Sequence, residues 1–180
     1  MTFDLFFAPD SIPATGFAPD RATTLPLQTL EKSYTELGNL WVEIPRIGVN
    51  VSIIGVPFSG RQWDVSWLNN QVGWLEGTAF PTWDGNSVIT GHVYESNGLP
   101  GPFVNLNQLW YGDRIIVHAF GESHVFEIRT ILQVKPDAVK SILKHEDESW
   151  LTLITCLGYD PVNDTYRSRY VIRAINVDTK

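Results

Sequence analysis

Leu151-Thr152-Leu153-Ile154-Thr155-Cys156 reads as an alternating β-strand that ends in the only thiol of the chain, with Leu157, Gly158 and a polar loop behind it. A strand end is rigid on one side and open on the other, so a nucleophile placed there is held still and yet remains reachable. Free cysteine is also among the most often buried residue types, and residue type alone favours an inert core position for Cys156.

Outward from that stretch, Val88-Ile89-Thr90-Gly91-His92 is a second apolar strand that ends in Gly-His, and its glycine permits close approach by backbone or ligand. Downstream, Arg167 and Arg169 open a last strand, Tyr170-Val171-Ile172-Arg173-Ala174, across a loop from Cys156. Taken singly, a histidine at a strand end is more often structural, and a lone arginine is more often a solvated surface group.

The same alternating or β-branched texture recurs at Leu40–Ile44, Val49–Ile54, Ser87–Val93, Arg114–Ala119, His124–Val134, Trp150–Cys156 and Tyr166–Val177. Turn-forming clusters separate these runs, among them Pro57–Gly60, Asn97–Gly101 and Asp160–Asp164. Short helices are expected at Leu27–Leu37, Val104–Trp110 and Pro136–Leu143, the last with Asp137 in its first turn. So many strands with so little helix predict a mainly β fold, closed into a barrel or sandwich. Residues 1–36, with Pro9, Pro13, Pro19 and Pro26 among Ala, Thr, Asp and Gly, read as an extended arm, and 37–180 as one β-rich domain.

Composition narrows the function. The 180 residues are 43% hydrophobic and 18% charged, which suits a folded domain with its own core. A net charge of -7 without a dense Lys/Arg run argues against nucleic acid as a partner. One cysteine forbids an internal disulfide, and His92, His118, His124 and His145 lack the spacing of a zinc site, so neither metal nor cofactor is expected. No stretch approaches the roughly 20 apolar residues of a membrane helix, and any membrane anchor is expected outside this chain.

Together, Thr90-Gly91-His92, Thr152-Leu153-Ile154-Thr155-Cys156 and an arginine at the head of a final strand resemble the three signature segments of the sortase family. The spacings agree: Cys156 lies 64 residues after His92, and Arg169 lies 13 after Cys156. The likeness runs from about Leu40 to Val177, with the class open between D-like, E-like and unclassified. It implies a closed eight-stranded sortase β-barrel with short helices, and His92, Cys156 and Arg169 as catalytic residues. Arg167 is the alternative arginine, and Arg173 reads as structural. Thr155, Leu153 and Arg167 are the expected substrate contacts, Thr155 through its hydroxyl or a nearby amide.

The implied activity is a cysteine transpeptidase that cuts a Leu-Pro-x-Thr-Gly-like sorting signal of a secreted protein between Thr and Gly. It passes the acyl group to an amine of the cell envelope, at the extracellular face of the membrane. With ordinary pKa values of about 8.5 for a thiol and about 6.5 for an imidazole, only about 1% of molecules near neutral pH would hold thiolate and imidazolium together if the two were independent. An L,D-transpeptidase is disfavoured, because no histidine lies just before Cys156. The non-enzymatic alternative is a peptide-binding barrel with an inert buried cysteine. In the arm, Ile12-Pro13-Ala14-Thr15-Gly16 differs from a sorting signal by one conservative apolar change, which suggests a tethered pseudosubstrate or self-substrate.

Overall fold

The computed structural model describes residues 40–59 and 62–178. Eight strands dominate it: β1 (Leu40–Ile44), β2 (Val49–Val56), β3 (Val72–Leu75), β4 (Gly85–Gly91), β5 (Arg114–Ala119), β6 (Glu122–Val134), β7 (Ser149–Asp160) and β8 (Thr165–Asn176). They form a closed barrel in the order β1-β2-β3-β4-β7-β8-β6-β5, sealed where β1 meets β5 with Val42 opposite Val117. Closure gives every strand two paired neighbours. The arm, the helix expected at Leu27–Leu37 and the Ile12–Gly16 motif lie outside the described residues.

Two neighbouring pairs are parallel, β2 with β3 and β4 with β7, and parallel neighbours need long crossover connections. These connections explain the burial pattern. Inside the barrel, Val42, Ile53, Ile89, Val117, Phe126, Leu153 and Ile172 form the main core. Outside it, Val56, Leu68, Val88, Ile142, Leu143, Ile154 and Val171 form a second cluster beneath the crossovers, joined by Trp63, Val65 and Val139. Neighbouring residues such as Val88 and Ile89, or Leu153 and Ile154, are therefore both buried. Strands covered on both faces carry continuous apolar runs, which accounts for the texture of residues 151–155.

Each of the seven runs read from sequence corresponds to a strand, and β3 is the one with no sequence counterpart. Its four residues, Val72-Gly73-Trp74-Leu75, are all buried, so no alternation marks it, and Gly73 interrupts the pattern further. The helix expected at Val104–Trp110 is a single 3-10 turn at Leu106–Gln108, held by three-residue bonds such as Gln108 N–H to Asn105 C=O. Leu106 and Leu109, one turn apart, are both buried. A second such turn occupies Pro136–Ser141.

Candidate active site

Cys156 does not end its strand, as the sequence suggested. β7 runs on to Asp160 and forms a long hairpin with β8, in which Cys156 and Arg169 are directly opposed. What ends is the other neighbour: the β4–β7 ladder stops at Thr90 opposite Ile154. Beyond that pair, β7 is supported by β8 on one flank, while the other flank is bordered by the loop that leaves β4. His92 is the first residue after β4, two positions beyond Thr90 on that strand as Cys156 is two beyond Ile154 on β7. Between them the Thr155 hydroxyl donates to the Gly91 carbonyl at 2.7 Å, clamping the two strands where their ladder ends.

The loop after β4 folds back over His92. Phe103 N–H donates to the His92 carbonyl at 3.0 Å and Gly101 N–H to the Val93 carbonyl at 2.8 Å. Glycine is required on both sides of this approach: a Cβ on Gly101 would stand 2.4 Å from the His92 carbonyl oxygen, and one on Gly91 would stand 2.8 Å from the Phe103 ring. Phe103 then joins Val93, Val104, Asn107, Thr155, Cys156, Leu157 and Tyr170 in lining a small cleft of about 40 Å³.

The Cys156 thiol is half-buried. Burial pushes its pKa above the ordinary thiol value, and the positive charge of Arg169 pulls it part of the way back. The phenol of Tyr166 is likewise pushed up, first by its own burial and then by the electrostatic influence of Cys156, Tyr94 and Asp164. Arg169 donates through Nη1 to the Ser168 carbonyl at 3.1 Å, and no carboxylate pairs with it among the described residues. Its guanidinium therefore keeps most of its donors for a ligand.

Of the other sequence candidates, Leu153 is a correction. It is fully buried within the barrel and has no surface to offer a peptide. Its side chain points inward because it is two residues from Leu151 on the core face. The Thr155 hydroxyl spends its proton on Gly91, so it acts inside the protein. Arg167 is exposed and bound to Asp160 at 3.2 Å across the hairpin. Arg173 lies toward the other end of β8, paired with Glu146 at 2.5 Å and stacked over the Trp150 ring at 4.6 Å.

One contact had no sequence signal. His92 Nε2 lies 2.8 Å from the Val65 carbonyl in the β2–β3 crossover. A carbonyl only accepts, so Nε2 carries the proton, and Nδ1 is the ring nitrogen with no partner among the described residues. A backbone acceptor leaves no mark on residue identity, and for that reason sequence reading missed it.

A closed barrel that presents a half-buried cysteine opposite an arginine, with a histidine just past the end of the adjoining strand, has the architecture of a barrel-type cysteine transpeptidase. The sortase domain model matches residues 42–177, most of the chain, and the protein belongs to the sortase family. Among solved structures it is similar to sortase C-1 of Actinomyces oris, with 33% identity over 78% of this chain and 73% of that one and a TM-score of 0.63. Sortase A of Corynebacterium diphtheriae aligns at 26% identity over 86% of this chain and 74% of that one, TM-score 0.63. A Clostridium perfringens sortase C, determined with a C-terminal cell wall sorting motif, aligns at 26% identity, covering 77% and 70%, TM-score 0.61. Comparison with proteins of curated function gives no significant match. As a family, sortases bind sorting-signal peptides and act at the surface of the cell envelope.

Proposed function

We propose that this transpeptidase cleaves a Leu-Pro-x-Thr-Gly-like sorting signal between Thr and Gly through a thioester on Cys156, and delivers the acyl group to an amine of the cell envelope, working at the outer face of the membrane. The observation that carries the reading is Cys156 directly opposite Arg169 across β7 and β8, beside the end of the β4–β7 ladder, with His92 the first residue beyond β4.

In this mechanism the Cys156 thiolate adds to the scissile carbonyl, and its electron pair passes to the carbonyl oxygen. Arg169 receives that oxyanion or the neighbouring peptide carbonyl with its fixed donor fork. The C–N bond then breaks, and the departing glycine amine takes a proton from the imidazolium of His92, delivered from Nδ1 because Nε2 is held by Val65. An incoming amine adds to the thioester, returns a proton to His92 and expels the thiolate. Water in its place gives hydrolysis.

Burial holds the resting thiol mostly protonated. The rate then depends on how well the site stabilises the thiolate against that burial. A quenched-peptide panel varying the first and last signal positions, with and without an amine nucleophile, tests the proposal. Signal-specific cleavage that an amine accelerates supports it. Turnover that survives Cys156→Ala overturns it.

A further inference from the structure

The imidazole of His92 is oriented by a backbone carbonyl, and the geometry points to Asp64 as the side chain that aims that carbonyl. The inference rests on reading His92 and Cys156 as the reacting pair, and it assigns Asp64 as a positioning residue that touches no substrate.

Acyl-transfer sites need a third group to hold the base, because a ring free to rotate or to switch tautomer spends much of its time unable to transfer a proton along the productive direction. Here no carboxylate side chain binds His92 among the described residues. The Val65 carbonyl at 2.8 Å occupies that place. A carbonyl in a crossover loop orients a ring only as well as the loop itself is fixed, and three contacts fix this one.

On the N-terminal side, the Asp64 carboxylate closes a tight turn around Val65. Its Oδ1 accepts from the Ser66 backbone N–H at 3.0 Å and from the Ser66 hydroxyl at 2.6 Å, so the Val65 peptide is bracketed by bonds from both flanking residues. These bonds, the hydroxyl one first, hold the Asp64 carboxyl below the ordinary carboxylate range, so it accepts as an anion at neutral pH. On the C-terminal side, Leu68 N–H also donates to the Val65 carbonyl, at 3.3 Å, and the Leu68 side chain is fully buried in the second apolar cluster. Upstream, Trp63 Nε1 donates to the Glu76 carbonyl at 3.0 Å and ties the turn to the end of β3.

Leu68 and Trp63 anchor the loop to the barrel, whereas the Asp64 bracket sets the rotation of the Val65 peptide plane and hence the direction of its carbonyl. Asp64 itself is exposed, and its removal takes nothing from the core. It is thus a residue whose loss should change catalysis more than stability.

The experiment is steady-state kinetics on a sorting-signal peptide, paired with nitrogen-15 NMR of the imidazoles of the free full-length protein, the His92 signals being assigned by their absence in His92→Gln. In the wild type the neutral ring should sit as the Nε2–H tautomer. Asp64→Ala should lower kcat about tenfold with KM little changed, and should move part of the His92 population to the Nδ1–H tautomer, with an unaltered melting temperature. Asp64→Asn keeps an oxygen acceptor and should recover most of the lost rate, and Ser66→Ala, which retains the backbone bond, should fall between. An Asp64→Ala protein with wild-type kcat and an unchanged His92 tautomer overturns the inference even if Cys156→Ala and His92→Ala are both inactive. If Cys156→Ala still turns over, the reading of the reacting pair fails instead, and the tautomer measurement continues to decide the role of Asp64 by itself.

Discussion

The same three strands, β4, β7 and β8, carry similar polar residues at their two ends and use them differently. Toward the start of β7, Thr152 donates to the Asn86 carboxamide at 2.7 Å, and Asn86 donates in turn to the Ile142 and Lys144 carbonyls. In the same region Arg173 is neutralised by Glu146 and covered by Trp150. Three and four residues along, Thr155 and Arg169 are the counterparts of Thr152 and Arg173. There the thiol opposite Arg169 carries no countercharge, and Arg169 has no carboxylate partner among the described residues. Where charges are paired internally the strands are cemented, even with Arg173 Nε and the Ser87 hydroxyl buried without partners among the described residues; where a guanidinium keeps spare donors, the same ladder is open to a ligand.

The largest effect expected from breaking this contrast is at the thiol. Cys156→Ala should abolish peptide turnover while its melting temperature stays near the wild-type value, because alanine fits the strand and only a half-buried sulfur is lost. His92→Ala should lower turnover by orders of magnitude, as measured with the same quenched peptide.

The arginines come next, and they test the contrast directly. Arg169→Ala should reduce kcat by about 100-fold or more, the scale for loss of an oxyanion donor, and Arg169→Lys should remain impaired because a point charge does not reproduce the fork. Arg173→Ala should do the reverse, costing about 1–3 kcal/mol in chemical denaturation by stranding the half-buried Glu146, with kcat close to wild type. A catalytic loss at Arg167 with none at Arg169 would shift the site two residues along β8.

The two threonines give a smaller and finer test. Thr152→Val leaves the Asn86 oxygen without its donor and should destabilise by about 1–2 kcal/mol, with activity intact. Thr155→Val removes the clamp on Gly91 and should cost about 1 kcal/mol, but it should also slow turnover about tenfold, since the clamp lies between His92 and Cys156. Equal kinetics for the two variants would mean that the clamp does not set the spacing of the pair.

Much of this contrast was legible in the sequence and part of it was not, for identifiable reasons. The strands with β-branched or alternating side chains announce themselves, and the three signature segments carried the family and the closed barrel. Strand β3 stayed hidden because its residues are buried on both faces. Leu153 was assigned to substrate as part of the signature segment, whereas the pleat turns it into the barrel. The strand end inferred at Cys156 belongs to β4 rather than β7, a matter of which ladder stops first, and pairing partners are not written in a single strand. The Val65 carbonyl had no signature, since every residue has a carbonyl.

The smallest effect, and the one that isolates electrostatics from chemistry, is the response of the thiol to pH. Alkylation by a small neutral reagent such as iodoacetamide proceeds through the thiolate, so its rate against pH reports the Cys156 pKa without any peptide. Burial raises that pKa and Arg169 lowers it. Removing the guanidinium while keeping a polar side chain, as in Arg169→Gln, should therefore move the alkylation midpoint to higher pH, and at a fixed neutral pH the rate should fall about tenfold for each unit of movement. The same change at Arg167 or Arg173 should leave the midpoint nearly in place, because Asp160 and Glu146 already cancel those charges. Added salt should shrink the Arg169 effect only modestly, since the pair is half-buried and poorly screened. A midpoint that moves downward in Arg169→Gln, or moves equally for all three arginines, would show that the charge felt by the thiol comes from the domain as a whole and not from its partner across the hairpin.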